Sequence, residues 1–133
     1  MTRVFADTFY FLALLNPSDA AHERAAAFTL VFEGEMTTTA WVLTELADAL
    51  THPANRLRFL ATLERLQHDP QAGIILPEPG LFAEGIDLFK SRPDKEWSLT
   101  DCISFVTMTK EGITEALTGD HHFEQAGFVA LLK

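Results

Sequence analysis

Cysteine is nearly absent: Cys102 stands alone in a chain of 133 residues. One thiol closes no internal disulfide and supplies no thiolate zinc site, so a reducing, cytoplasmic compartment is the expected setting. Positive charge is also scarce. Ten Lys and Arg face nineteen Asp and Glu, a formal charge of −9, and no dense basic run forms the stripe usual in nucleic-acid binders. Such an excess of acid keeps a protein soluble, and by itself does not favour a polyanion partner. Long apolar runs are missing too. Phe9–Leu15 falls far short of the roughly 20 residues of a membrane span. With Asp7 at its start and Asn16-Pro17-Ser18-Asp19 after it, it lacks the cleavage site of a signal peptide. A soluble, unprocessed chain with no membrane partner is expected. No repeat, low-complexity tract or Gly/Ser linker divides the sequence, so residues 1–133 read as a single domain.

What is present is core. Apolar residues make up 47% of the chain and include eleven Phe and two Trp, enough for a hydrophobic interior without staples. Short strands alternate with helices. Residues 3–6 read as a buried strand ending at Asp7, and residues 8–15 as a buried helix. A second helix is capped by Ser18 or Asp19 and runs through Ala27. Residues 36–38 form a β-branched strand leading into a helix over 39–51, with Leu43, Leu46, Ala47 and Leu50 on one face. A helix over 55–68 is expected to turn Leu57, Leu60 and Leu63 inward. Residues 74–76 are extended, 81–90 helical and 91–97 a polar loop. The helix over 98–110 is apolar nearly all round, hence buried. Strands over 115–118 and 128–132 complete the chain. This alternation predicts a three-layer α/β/α sandwich around a central, mostly parallel sheet.

Four acids fall at related places in that pattern. Asp7 and Asp120 follow strands, Asp101 lies in the first turn of a buried helix, and Glu45 sits in a helix that directly follows a strand. In a parallel sheet, strand C-termini and the helix N-termini after them share one edge, where such folds bind ligands. Acids spaced by 38, 56 and 19 residues therefore meet in one cleft. Crowded carboxylates repel, and burial adds to the cost, so the cluster needs retained protons or bound cations. All-oxygen donors suit Mg²⁺ or Mn²⁺ over Zn²⁺. Ions so held can activate water, stabilise a leaving oxygen in phosphodiester hydrolysis, and reverse the local repulsion of a phosphate. Each acid has a plainer explanation as well. Ser98-Leu99-Thr100-Asp101 is a capping-box pattern, Glu45 can be a solvated helix residue, Asp7 a helix cap and Asp120 a turn residue. The case lies in their joint placement.

At these positions Val4-Phe5-Ala6-Asp7-Thr8, Thr39-Ala40-Trp41-Val42-Leu43-Thr44-Glu45-Leu46, Trp97-Ser98-Leu99-Thr100-Asp101-Cys102-Ile103-Ser104-Phe105 and Leu117-Thr118-Gly119-Asp120-His121-His122-Phe123 resemble the four acidic motifs of PIN domains. The segments keep the family's order across essentially the whole chain, and the third and fourth are the most specific. The resemblance implies a three-layer α/β/α fold, Mg²⁺- or Mn²⁺-dependent cleavage of RNA, and Asp7, Glu45, Asp101 and Asp120 as catalytic metal ligands. Small proteins of this kind are commonly VapC-type toxins, which implies a homodimer and a cognate antitoxin partner. The alternative is a catalytically silent PIN module that binds RNA or protein.

Other residues carry weaker signals. Thr8 and Thr118 flank ligands, but a helix cap and a strand position explain them more simply than a bond to a carboxylate or phosphate. Asp94 reads as a solvated loop acid, and His121 and His122 as surface or outer-shell residues, since a hard-metal site does not require imidazole. Cys102 reads as core. Arg56, Arg58 and Arg65, or Lys90, Arg92 and Lys95, are candidate phosphate contacts against a background of scattered solvated charge. The first helix (Phe9, Tyr10, Phe11) offers a partner surface or core packing. A phosphotransfer receiver domain would need paired acids after the first strand and a late Lys. A haloacid-dehalogenase-like phosphatase would need a second Asp at position 9, which is Phe.

Overall fold

The computed structural model describes residues 2–133. Its element order is β1 (Thr2–Ala6), α1 (Thr8–Leu15), α2 (His22–Val31), β2 (Gly34–Thr39), α3 (Ala40–Ala49), α4 (Pro53–His68), β3 (Ala72–Ile75), α5 (Pro79–Ser91), α6 (Leu99–Glu111), β4 (Glu115–Leu117), α7 (His121–Gln125) and β5 (Val129–Ala130). The strands form one five-stranded sheet in the order β3-β2-β1-β4-β5. Every pairing is parallel, and the helices complete a three-layer α/β/α sandwich. No helix among the described residues is long and apolar enough to cross a membrane.

The order explains the burial. β1 is flanked on both sides, so Val4, Phe5 and Ala6 are all buried, as a strand without an edge requires. In β2 the β-branched run Thr37-Thr38-Thr39 is buried as well, and the Thr38 hydroxyl donates to the Ala6 carbonyl at 2.8 Å. Successive connections move outward from β1 to β2 and β3, then return across the sheet to β4 and β5. The strand order thus reverses between β1 and β4, and such a switch point opens a crevice at the strand C-termini.

Helix ends follow local chemistry. Thr39 caps α3 by accepting from the Val42 N–H, and Pro53 and Pro79 open α4 and α5 behind the side-chain caps His52 and Glu78. Helix α6 starts with a full capping box from Ser98 and Asp101 and stops at Gly112, whose φ of 69° suits glycine. It is buried on most sides through Cys102, Ile103, Phe105 and Met108, as its sequence predicts.

Some expectations need correction. Leu57 and Leu60 do not turn inward: they are 75% and 54% exposed. The inner stripe of α4 is Phe59, Thr62, Leu63 and Leu66, the same period shifted by two residues. Helix α2 starts at His22, because Asp19 spends its side chain on the Ala21 N–H in the preceding turn. The strand expected over 128–132 shrinks to Val129–Ala130, and residues 121–125, read as following a turn, form the short helix α7.

Candidate metal centre at the sheet switch point

Asp7 is the first residue beyond β1 and lies deep, 5% exposed. Its backbone N–H donates to the Leu117 carbonyl at 3.4 Å, which extends the β1–β4 pairing by one step. Its carboxylate accepts from the Thr118 hydroxyl, Oγ1 to Oδ2 at 2.9 Å. Burial pushes the Asp7 carboxyl up to about 7, against the Thr118 bond, with the neighbouring charges of Asp101 and Glu45 raising it further. Glu45 is half-buried on the inner turn of α3.

Asp101 is placed by the start of α6. The Ser98 Oγ accepts from its N–H at 3.0 Å, and its Oδ2 accepts from the Ser98 N–H at 3.1 Å. The capping role and a place in the cleft therefore coexist, because the same oxygen lies 3.2 Å from Nδ1 of His122. Burial raises the Asp101 carboxyl above its ordinary value, and the nearby Asp120 adds to this, while the Ser98 and His122 contacts oppose it.

Asp120 follows β4 through Thr118 and Gly119. Its N–H donates to the Thr118 Oγ1 at 3.0 Å, and its Oδ1 caps α7 by accepting from the His122 N–H at 2.9 Å. Gly119 admits the Phe9 ring: a Cβ there would stand 2.5 Å from Phe9 Cζ, so any larger residue would have to displace that ring.

The four acids are coupled through their charges: Asp101 and Glu45 each raise Asp7, and Asp120 raises Asp101. They are not one tight knot. Among the described residues, the group whose ligand atoms all lie within 4.8 Å of one another is Asp120, His121 and His122. The looser quartet has a physical cause: like charges separate, and Thr118, Ser98 and His122 each hold an acid back. Two residues gain roles that sequence reasoning rated low. Thr118 bridges Asp7 and Asp120, and His122 stands between Asp101 and Asp120, 3.2 and 3.4 Å away. Their sequence signal is spacing: each lies two residues from Asp120, where the Thr118 hydroxyl accepts from the Asp120 N–H and the Asp120 carboxylate accepts from the His122 N–H. His121 is exposed and near Asp120 alone among the acids. Asp94 is a solvated acid paired with Arg92, which holds it down at about 2. Cys102 is buried core.

The donor set fits a hard divalent cation. Among the described residues no Lys or Arg pairs with any of the four acids, so no permanent cation relieves their mutual repulsion. The buried Thr8 hydroxyl beside Asp7 has no hydrogen-bond partner, which is unusual for a buried polar atom. Oxygen-rich, partly buried and lacking a permanent countercharge, the cleft has the donor chemistry that suits a hard divalent cation.

Comparison with known proteins agrees with this geometry. The PIN domain family matches residues 4–129, while no curated protein sequence matches the chain. VapC20 of Mycobacterium tuberculosis, a toxin that cleaves the sarcin-ricin loop, is similar in structure, with 25% identity and a TM-score of 0.85 over 95% of this chain and 96% of that one. FitAcB of Neisseria gonorrhoeae superposes with a TM-score of 0.65 at 21% identity, covering 96% and 94%. FitAB bound to an IR36 DNA fragment does so at 0.65 and 17%, covering 96% and 92%. These last two share the fold. With a family match spanning nearly its whole length, the chain belongs to the PIN-domain family.

Proposed function

We propose that residues 1–133 form a single PIN nuclease domain that hydrolyses RNA internally, as the VapC-type toxin of a toxin–antitoxin pair, with Mg²⁺ or Mn²⁺ held by Asp7, Glu45, Asp101 and Asp120. The observation that carries this reading is Asp7, buried at the sheet switch point among other acids with no cationic side chain to neutralise it. A purely structural role gives no reason to maintain that cost. Support also comes from the likeness to VapC20, a toxin that cleaves the sarcin-ricin loop.

The divalent ion would supply a more acidic water and neutralise charge at the phosphate. The chain supplies the rest. Asp7 fixes the deepest donor, and Thr118 orients it by occupying Oδ2. Asp101 presents its carboxylate from a helix end that its own capping bonds make rigid. His122 is a positioning residue that bridges Asp101 and Asp120 through its Nδ1. Glu45 completes the oxygen set, and one of these carboxylates takes the proton of the attacking water.

The partners are an RNA substrate, an antitoxin and a second copy of the chain in a homodimer, within the cytoplasm. Exposed Leu30, Val31, Leu57, Leu76 and Phe82 give protein partners apolar surface to cover. The test is incubation of the purified protein with structured and single-stranded RNAs in Mg²⁺ or Mn²⁺, beside EDTA and Asp101→Asn controls. Cleavage that requires metal and is lost in the variant is the expected result. Folded, partner-free protein that binds RNA but never cuts it would replace this reading with a silent binding module.

A further inference from the structure

The cations of this acidic chain are mostly committed. Arg3 pairs with Glu35 and Glu111, Lys110 with Glu84, and Lys133 with Glu124. Arg56 and Arg58 donate to the carbonyls of Thr51 and Leu15. The last turn of α5 and the loop joining it to α6 are different. There Lys90 has no ion pair among the described residues, and Lys95 reaches only to 4.0 Å from Asp94, whose carboxylate is already taken by Arg92 through bonds of 3.0 and 2.9 Å.

These residues surround a cavity of about 480 Å³ lined by Phe89, Lys90, Arg92, Pro93, Lys95, Glu96, Trp97 and Cys102, so one carboxylate, Glu96, stands among three cationic side chains. Its size is that of a small-ligand site, roughly 300–1,000 Å³. Trp97 is held rigidly: its Nε1 donates to Gln125 Oε1 at 3.0 Å, and the Arg92 guanidinium lies 5.2 Å from its ring centre. Phe89 is 49% exposed, a costly state for an aromatic ring with no partner. Cys102 adjoins Asp101, so the cavity wall is the same helical turn that carries a candidate catalytic acid.

We infer that this cavity holds one nucleotide of single-stranded RNA flanking the scissile bond, its phosphate on Lys90 and Lys95 and its base on Phe89 beside the Arg92–Trp97 pair. The assignment rests on the ribonuclease reading above. Cationic tips beside aromatic faces are the chemistry by which proteins take single strands, charge for the backbone and rings for the bases. The site also offers a protein of net charge −9 a local group of cations, Lys90, Arg92 and Lys95, around one cavity.

The test uses the full chain carrying Asp101→Asn, in Mg²⁺, with a fluorescein-labelled single-stranded RNA of mixed sequence. Lys90→Ala with Lys95→Ala should weaken binding on the order of 10-fold and flatten the dependence of log affinity on log salt by about 0.7, the value for one single-strand phosphate. Phe89→Ala should weaken binding with the salt slope unchanged. Lys110→Ala with Lys133→Ala removes the same charge away from the cavity and should leave binding near the parent's. Equal losses in the two lysine pairs would reduce the effect to bulk charge and overturn the inference. So would binding and cleavage at parental levels by the Lys90/Lys95 variant, in the Asp101 background and the parent background respectively, and the ribonuclease reading would then stand. If the parent chain cleaves no RNA with any metal, that reading falls and the inference with it.

Discussion

The Thr118 hydroxyl donates to Asp7 at 2.9 Å and accepts from the Asp120 N–H at 3.0 Å, so one side chain couples the acid after β1 to the acid after β4. Both bonds are directional, and the second leaves the hydroxyl proton free for the first. A methyl in place of the hydroxyl would keep the shape and lose both.

Thr118→Val is therefore expected to lift the Asp7 carboxyl further, since the bond it removes favours the charged form. The acidic limb of the pH–rate profile should move to higher pH. Stability should fall by about 1–3 kcal/mol, as for other buried groups left unpaired. An unmoved limb would mean that Asp7 is not the group whose ionisation the reaction needs.

Asp7 also makes stability depend on pH. Its folded-state value near 7 exceeds the ordinary 3.8, so between these values the folded chain holds a proton that the unfolded chain has released. Stability without metal should then fall as pH rises from about 4 to 7, by at most about 1.4 kcal/mol per pH unit from this group. Thermal unfolding in EDTA reads this directly. Asp7→Asn should be more stable than the parent at pH 8 and depend less on pH. Added Mn²⁺ should stabilise the parent increasingly as pH rises, because the ion competes with the proton, and should do little for the variant.

Capping and chemistry at Asp101 can be separated. Ser98→Ala removes the hydroxyl that accepts from the Asp101 N–H and should cost about 1 kcal/mol of stability with a modest loss of rate. Asp101→Asn retains an oxygen for the Ser98 N–H, so its unfolding temperature should change little while cleavage falls at least ~100-fold. Parallel losses of rate and stability in both variants would assign Asp101 to capping alone.

Gly119→Ala would put a Cβ 2.5 Å from Phe9 Cζ. Overpacking of this kind typically costs about 1–3 kcal/mol, and here the ring that must move borders the turn between Thr118 and Asp120. Activity should drop along with stability, and Phe9→Leu in the same chain should restore part of both. Failure of that rescue would place the damage in the backbone turn instead.

Much of this site is legible in sequence because it depends on element order. Asp7 and Asp120 end strands, Asp101 opens a helix, and parallel topology carries such positions to one edge without any knowledge of contacts. Facing and side-chain pairing are less legible. Leu57 and Leu60 have the helical period of a buried stripe, yet Phe59, Thr62 and Leu63 occupy it, a phase that tertiary packing decides. Thr118 reads as an ordinary strand residue, since its partner lies 111 positions away. Likewise the bond between His122 and Asp101 exists only because α7 forms, and a five-residue helix leaves almost no periodic signal.

The strand order also sets when the nuclease comes into being. β1 is made first, but one of its two neighbours in the sheet is β4, near the end of the chain. Until that strand emerges, Asp7 has neither Thr118 to orient it nor Asp120 within reach. A chain that stops short of β4 therefore lacks the pairing that places Asp7 against Thr118, so the site forms only once that strand has been made.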